Sequence, residues 1–179
     1  MAGILVESEL SSLNRLLNQK IDCLVLGGAK VSDKLDLLVN LMPKVDSILI
    51  GGGMSYTFLK YKGVPIGSSI FDDKIDVKVV FESAEKARTK IYLPVDHVVT
   101  IDGREALIVN SISDGFAGWD IGPETSALYT DVLSKSKSVF WNGPMGIFEK
   151  GERFSKGTLA ILMAMANVKE RGGLSIVGI

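Results

Sequence analysis

The 179-residue sequence contains one cysteine, one histidine and almost no net charge. The lone Cys23 excludes an internal disulfide and fits a reducing compartment. With His97 as its only histidine, the chain offers neither a histidine-rich metal site nor a serine-histidine-aspartate triad with a spare member. We expect His97 to be a loop residue with a local hydrogen bond.

Long apolar runs and a strong charge bias are also missing. No apolar stretch approaches the roughly 20 residues that cross a bilayer, and no basic segment followed by an apolar one opens the chain. Twenty basic residues against 21 acidic ones leave a net charge of -1, so no global field attracts nucleic acid or anionic membrane. We therefore expect a soluble, cytoplasmic, monomeric protein that binds neither nucleic acid nor membrane.

Short apolar runs bounded by glycine or proline recur along the chain, with helical patterns between them. This alternation predicts an α/β fold: a doubly wound, Rossmann-like three-layer domain with a mainly parallel sheet, spanning residues 1–179 as a single domain. Two apolar runs around Asp102-Gly103-Arg104-Glu105 predict a small accessory β-hairpin outside that sheet. The predicted core strands, expected to be buried on both faces, are 22–26, 47–50, 90–93, 138–141 and 174–177.

The helical patterns differ in their clarity. Leucine spacing predicts a first helix from Ser8 to about Leu17, and a second helix from near Ser32 to Pro43. Further helices are predicted after Gly53, over 76–88, from Pro123 and from about Phe154. In the last of these, the apolar face is expected to contain Leu159, Leu162, Met163 and Ala166.

Glycine clusters follow the predicted strands. In a doubly wound sheet, ligands bind beyond the carboxyl ends of the strands, and glycine lets a backbone approach a ligand closely. The runs are Gly27-Gly28-Ala29-Lys30, Gly51-Gly52-Gly53 and Asn142-Gly143-Pro144-Met145-Gly146. The triplet fits either a flat ligand wall or a tight contact between a helix and a strand.

The first loop adds two cations, Lys30 and Lys34, at a predicted helix start. Free backbone amides and the helix dipole favour an anion there, whereas two lysines in a first turn oppose the dipole unless an anion such as phosphate compensates them. The alternative for the two lysines is that they extend into water. For Asp33 there are also two interpretations: it contacts a magnesium ion that bridges phosphates, or it is an ordinary acidic residue in a first helical turn.

The common phosphate motifs are absent. Nothing matches the Gly-x-x-x-x-Gly-Lys-[Ser/Thr] loop or the Gly-x-Gly-x-x-Gly fingerprint of dinucleotide sites. An ordinary P-loop enzyme is therefore excluded, and a Rossmann-type oxidoreductase lacks its fingerprint. Glu149 could accept hydrogen bonds from ribose hydroxyls, although a solvated surface glutamate explains it equally well.

Five segments together resemble the phosphoglycerate kinase family, in the order in which that family carries them. They are Leu26 to Lys34, Gly51 to Leu59, Pro94-Val95-Asp96, Asp120 to Thr125, and Trp141 to Glu149. The likeness covers essentially the whole chain. It implies reversible phosphoryl transfer between 1,3-bisphosphoglycerate and ADP, giving 3-phosphoglycerate and ATP, with Mg²⁺ on the nucleotide.

The resemblance also implies roles for individual residues. Lys30 contacts nucleotide phosphate, Lys34 stabilises the transferring phosphoryl group as the catalytic residue, and Glu149 holds the ribose. The nucleotide site is implied to be lined by Gly28, Ala29, Gly52, Gly118, Asn142, Gly143, Met145 and Phe148.

Two features of the family have no counterpart among these residues. One is an amino-terminal domain whose basic patch binds phosphoglycerate; the other is a Gly-Gly-Gly-Asp-[Ser/Thr] loop after the last strand, where this sequence has Ile179 in place of a glycine. The resemblance therefore implies that the chain alone binds ADP or ATP, takes phosphoglycerate only with the other domain, and turns over negligibly. The alternative is a free-standing, non-catalytic module that binds nucleotide or phosphate.

Overall fold

A computed structural model describes residues 18–178, which form eight strands and five α-helices. The strands are β1 (Ile21–Leu26), β2 (Val45–Ile50), β3 (Lys90–Tyr92), β4 (His97–Thr100), β5 (Leu107–Val109), β6 (Ala117–Ile121), β7 (Ser138–Asn142) and β8 (Leu174–Gly178). The helices are α1 (Leu35–Leu41), α2 (Met54–Tyr61), α3 (Lys78–Ala87), α4 (Pro123–Ser134) and α5 (Lys156–Glu170). The helix predicted from Ser8 to Leu17 lies outside the described residues.

The main sheet is parallel, with the strand order β3-β2-β1-β7-β8. It contains all five predicted core strands, which confirms that part of the prediction. The central strands β1, β2 and β7 are largely buried, but burial on both faces is wrong for the two edge strands. Lys90 of β3 is exposed, and in β8 Leu174 is 45% and Val177 53% exposed. An edge strand has a neighbour on one side only, so less of its surface is covered.

Helices cover both faces of this sheet, as the three-layer prediction requires. Along β1, Leu24 and Leu26 face a core built with α1, α2 and α3, whereas Cys23 and Val25 face a core built with α4 and α5. Successive side chains of a strand point to opposite faces, so one short apolar strand contributes to both cores. From Cys23 to Leu26 the strand is apolar because neither face meets solvent there.

A separate antiparallel sheet has the order β5-β4-β6. Strands β4 and β5 form the predicted hairpin outside the main sheet, but the prediction of only two strands is incomplete because β6 pairs with the other edge of β4. Gly118 and Asp120 are unfavourable for strand formation, which concealed β6 in the sequence. Tyr56 and Leu59 of α2 pack against this small sheet.

Helix α1 begins at Leu35, three residues later than predicted. Residues 31–34 form a turn closed by a hydrogen bond from the Lys34 amide to the Val31 carbonyl (2.9 Å), and Lys34 stands at the N-cap. Neither lysine of the first loop therefore lies within the helix. Pro43 falls inside a 3₁₀ turn, Met42–Lys44, that continues from α1.

The predicted inward face of the last helix is wrong. Leu159, Leu162 and Met163 are 54%, 50% and 62% exposed, whereas the buried face of α5 carries Ile161, Ala164, Met165 and Val168. The helix is apolar on both sides, so periodicity alone allowed two stripes. Within residues 18–178, no helix has the length and apolar character needed to span a membrane.

Candidate functional site

Three glycine-rich loops meet at the carboxyl edge of the main sheet, where β1, β2 and β7 end. Backbone hydrogen bonds join them: the Gly27 amide donates to the Asn142 carbonyl (2.9 Å), the Gly28 amide to the Pro144 carbonyl (3.0 Å) and the Gly52 amide to the Met145 carbonyl (3.0 Å). The loops therefore form one connected platform, and the predicted convergence of these three segments is observed.

Gly52 shows why this platform needs glycine. Its φ is +67°, and a Cβ there would lie 2.6 Å from the Gly28 amide nitrogen and 2.9 Å from the Pro144 carbonyl oxygen. The backbones of two loops thus occupy the space of a side chain. Gly51 packs against Met145 of the loop after β7, whereas Gly52 and Gly53 line a cleft.

The cleft above the platform has a volume of about 340 Å³. The antiparallel strand β6 forms part of its wall, together with the three loops, α2 and the segment after β7. Glycine backbone and apolar side chains predominate, with the carboxylate of Glu149 among them. The lining residues are Gly28, Ala29, Gly52, Gly53, Tyr56, Ile70, Ala117, Gly118, Trp119, Pro144, Gly146, Ile147 and Glu149.

Lys34 is fixed beside this cleft. Its ammonium group donates a hydrogen bond to the Asn142 side-chain oxygen, which links the loop after β1 to the end of β7. Among the described residues, the only neighbour that a Cβ on Gly28 would meet within 4 Å is the Lys34 side chain, at 4.0 Å. The cation is thus held at the platform by a contact between residues 108 positions apart in sequence.

Lys30, in contrast, is exposed, and its charge faces an acidic residue of another loop. Hydrogen bonding from Ser32, with a smaller contribution from the positive charge of Lys30, lowers the pKa of the Asp72 carboxyl below its usual range. The Asp72 carboxylate also accepts from the Ser32 amide (3.3 Å), and the Asp72 amide donates to the Thr57 hydroxyl (2.8 Å). The loop containing Asp72 therefore restrains the loop that carries Lys30.

A buried carboxylate lies behind the cleft wall. Asp120 is 1% exposed and accepts hydrogen bonds from the amides of Ile121 (2.9 Å) and Gly157 (2.9 Å). Burial raises its pKa to about 6, against the lowering effect of these two hydrogen bonds. A Cβ on Gly146 would lie 2.5 Å from this carboxylate, so Asp120 fixes the packing of the loop after β7 against α5.

His97 does not behave as expected. It begins β4, is 2% exposed, and its Nδ1 atom has no hydrogen-bond partner in the described part of the chain. The expectation of a loop histidine with a local hydrogen bond is wrong, because the apolar stretch that follows it pairs on both edges and draws it into the small sheet. Burial lowers its pKa to about 4, despite the neighbouring charge of Asp96.

Only some of the residues predicted to contact the ligand line the cleft. Gly28, Ala29, Gly52, Gly118 and Glu149 line the cleft, whereas Lys30, Lys34, Asn142 and Gly143 lie in the platform loops around it. Met145 is fully buried in the core beneath Gly51, and the exposed Phe148 is not among the lining residues. Asp33 is exposed in the turn before α1.

Several lining residues were not predicted from the sequence. Tyr56 fits the apolar pattern of α2 and a tryptophan is an ordinary packing residue, so the sequence marks neither Tyr56 nor Trp119 as a site residue. Trp119 does pack edge-to-face on Phe154, with ring centroids 4.9 Å apart, but it also lines the cleft. Recognising β6 as a strand would have placed Trp119 beside Gly118 at the site.

The described residues contain no cluster of three or more histidine, cysteine or acidic side chains able to hold a metal ion. Mg²⁺ commonly binds through one or two carboxylates together with substrate phosphates, and such a site needs no cage made only of protein ligands. An exposed carboxylate in the first loop, such as that of Asp33, is compatible with that second kind of site.

Known proteins share both the sequence and the fold. The family model for phosphoglycerate kinase matches residues 1–179. The chain is 43% identical to phosphoglycerate kinase from Clostridium perfringens and 44% identical to that from Clostridium tetani, in each case over 99% of this chain and 46% of the relative. The chain thus spans about half the length of the curated relatives it matches.

Solved structures agree with the sequence comparisons. Phosphoglycerate kinase from Coxiella burnetii superposes with a TM-score of 0.77 at 33% identity, covering 96% of this chain and 51% of that one. The Pyrococcus horikoshii enzyme gives 0.70 at 27% identity, over 97% of this chain and 49% of that one. With the match of the family model over every residue, the chain belongs to the phosphoglycerate kinase family.

Proposed function

We propose that the cleft binds ADP or ATP with Mg²⁺, and that the chain is the nucleotide-binding part of a phosphoglycerate kinase. The whole enzyme would transfer a phosphoryl group between 1,3-bisphosphoglycerate and ADP in glycolysis. One observation carries this proposal: Lys34 is held by Asn142 at the edge where three glycine loops meet beside the cleft. A fixed cation and exposed backbone suit a phosphate chain.

The two lysines would handle the phosphates in different ways. Phosphoryl transfer spreads negative charge over the equatorial oxygens of the transferred group, and the protein mainly positions and neutralises that charge. Lys34, restrained by Asn142, is suited to the transferring phosphoryl group because its position is set before the ligand binds. Lys30, exposed in the preceding turn, is suited to the phosphates that remain on the nucleotide.

The rest of the nucleotide would lie along the cleft. Gly52, Gly53 and Gly118 present backbone without side chains, which suits the flat face of a base. Glu149 would accept hydrogen bonds from the ribose hydroxyls. Mg²⁺ would arrive on the phosphates, with Asp33 as a carboxylate ligand, and would neutralise part of their charge.

Turnover requires the acyl phosphate of the second substrate to lie in line with the nucleotide. Such alignment can contribute roughly 7–11 kcal/mol to lowering a barrier. The family resemblance assigns phosphoglycerate binding to an amino-terminal domain, and we expect the 179 residues alone to bind nucleotide with negligible turnover. We further propose that the chain is a cytoplasmic monomer.

Substitution of Lys30 by alanine tests the phosphate assignment. Lys30→Ala should weaken MgADP binding about 10-fold, the effect of losing one charge-assisted hydrogen bond. Lys137→Ala is the matched control, because Lys137 is also exposed but precedes β7 and therefore lies at the opposite edge of the sheet. Titration calorimetry that gives equal affinities for the two variants would refute the proposed role of Lys30.

A further inference from the structure

Residues 62–77, which join α2 to α3, contact the walls of the cleft at two points. The Ser69 hydroxyl accepts a hydrogen bond from the Gly118 amide of β6 (2.9 Å), and Ser69 is buried. The Ile70 side chain lines the cleft, and its Cδ1 atom would lie 2.5 Å from a Cβ on Gly53. The segment is therefore fixed both at β6 and at the loop after β2.

Two residues beyond Ile70, Asp72 connects the same segment to the loop after β1. Its carboxylate accepts hydrogen bonds from the Ser32 hydroxyl and from the Ser32 amide, the latter at 3.3 Å. The carboxylate also accepts from the Lys74 amide (3.2 Å), and the Asp72 amide donates to the hydroxyl of the buried Thr57 in α2 (2.8 Å). Because its backbone and its side chain are both held, Asp72 is a fixed acceptor for Ser32.

Ser32 belongs to the turn of residues 31–34, which separates the two lysines of the first loop. Val31 anchors the inner side of that turn, because it is fully buried in the core. Ser32 is exposed, so hydrogen bonds and not packing set its position. The contact with Asp72 therefore restrains the exposed side of the turn, close to Lys30.

The charge of Asp72 acts in the opposite direction to this restraint. Hydrogen bonding from Ser32, with a smaller contribution from the positive charge of Lys30, lowers the pKa of the Asp72 carboxyl, so the group is negatively charged at neutral pH. A negative charge beside Lys30 repels an incoming phosphate. If charge were the main effect of Asp72, its removal would strengthen the binding of an anion. If restraint were the main effect, its removal would weaken that binding.

We propose that Asp72 is a positioning residue for the phosphate end of the nucleotide site, because it holds Ser32 and thereby keeps Lys30 and the turn in the arrangement that receives phosphate. This inference rests on the proposed nucleotide-binding function. A turn that is ordered before the ligand arrives spares the binding step the entropy cost of ordering it. Support of this kind from residues outside direct contact with the ligand is what keeps a binding group in place.

Three variants separate restraint from charge. Asp72→Ala removes the charge and the contacts with Ser32, whereas Asp72→Asn removes the charge but keeps an oxygen that can accept from the Ser32 amide. Asp73→Ala is the matched control, because it removes one charge from the adjacent exposed residue and leaves the contacts of Asp72 in place. Titration calorimetry should show MgADP binding weakened about 3–10-fold in Asp72→Ala. In Asp72→Asn and Asp73→Ala, MgADP should bind at least as tightly as in the parent.

A second ligand separates a role in phosphate binding from a role in folding. Adenosine has no phosphate, so an NMR titration should give equal adenosine affinities for Asp72→Ala and the parent. In the same spectra, the Ser32 amide signal of the unliganded protein should move further in Asp72→Ala than in Asp72→Asn, because only the alanine variant loses the acceptor.

MgADP affinity in Asp72→Ala that equals or exceeds that of the parent would overturn the inference, since charge would then outweigh restraint. Equal losses of MgADP affinity in Asp72→Ala and Asp72→Asn would also overturn it, as would an equal loss for adenosine, which would indicate a structural role. A parent protein that binds no MgADP would instead refute the proposed function itself.

Discussion

Two buried ionisable residues have pKa values displaced in opposite directions. His97 has its pKa lowered to about 4 by burial, and Asp120 has its pKa raised to about 6 by burial. The folded state binds a proton at His97 less readily than the unfolded chain, whose histidine pKa is about 6.5. It binds a proton at Asp120 more readily than the unfolded chain, whose aspartate pKa is about 3.9.

These displacements predict opposing pH dependences of stability. As pH falls from 6.5 to 4, His97 should destabilise the fold by about 3 kcal/mol, whereas Asp120 should stabilise it by a similar amount as pH falls from 6 to 4. Because the two contributions nearly cancel, together they should change the free energy of unfolding of the parent protein, measured in urea, very little between pH 6.5 and 4. In His97→Phe the free energy of unfolding should rise towards pH 4, and in Asp120→Asn it should fall. Slopes of the same sign in the two variants would contradict the pKa assignments.

At the scale of single residues, the sequence identified those whose chemistry was unusual for their position. Lys34 was singled out because a lysine pair beside paired glycines needs an anion, and the structure places it at the platform. Tyr56 and His97 could not be identified in this way. Tyrosine is ordinary in an apolar helix pattern, and the burial of His97 depends on pairing with β6, more than 20 residues away.

At the scale of secondary-structure elements, the loops that follow the strands depend on close contact between their backbones. Substitution of Gly52 tests this dependence most directly. Gly52→Ala places a Cβ against the backbone of two loops, in addition to the strain of a positive φ. Gly63 is the matched control, since its φ of +78° is similar and no atom of residues 18–178 lies within 4 Å of an added Cβ. We expect Gly63→Ala to lower the free energy of unfolding by about 1–2 kcal/mol and Gly52→Ala by about 3–4 kcal/mol.

Chemical denaturation of both glycine variants measures this difference. Equal losses would mean that conformational strain alone, and not contact between the loops, requires glycine at the platform.

A second prediction at the scale of elements concerns the buried face of α5, because the structure buries the opposite face from the one predicted from the sequence. Ile161 is fully buried against the main sheet, whereas its neighbour Leu162 is 50% exposed. Ile161→Ala should lower the free energy of unfolding by about 3 kcal/mol, and Leu162→Ala by about 0.5 kcal/mol or less. If thermal or urea unfolding showed a larger loss of stability for Leu162→Ala than for Ile161→Ala, the inward face of α5 predicted from the sequence would be correct.

Elements were predictable where one physical signal dominated. The core strands are short, mainly apolar runs that end at glycine- or proline-containing loops, so both existence and type were recovered. The boundary of α1 was less certain from sequence, because residues 31–34 form a turn with its own hydrogen bond. Strand β6 was missed because Gly118 and Asp120 hide a pairing that only β4 provides.

For the whole molecule, apolar runs predicted a parallel sheet covered on both faces, but not the order of its strands. The order β3-β2-β1-β7-β8 brings the ends of β1, β2 and β7 together, and the cleft depends on that adjacency. The family resemblance supplied what local patterns could not: five segments in the right order and a common ligand site. The lining of the cleft by α2 and β6 is a property of the assembled fold.

The central claim is that this cleft binds nucleotide, and titration of the whole chain with MgADP, followed by the amide signals in NMR spectra, tests it most directly. We predict the largest saturable shifts at the amides of Gly28, Gly52, Gly118 and Gly143, with little change at Asp22 and Lys137 at the opposite edge of the sheet. Absence of saturable shifts, or shifts centred on Asp22 and Lys137, would contradict the account.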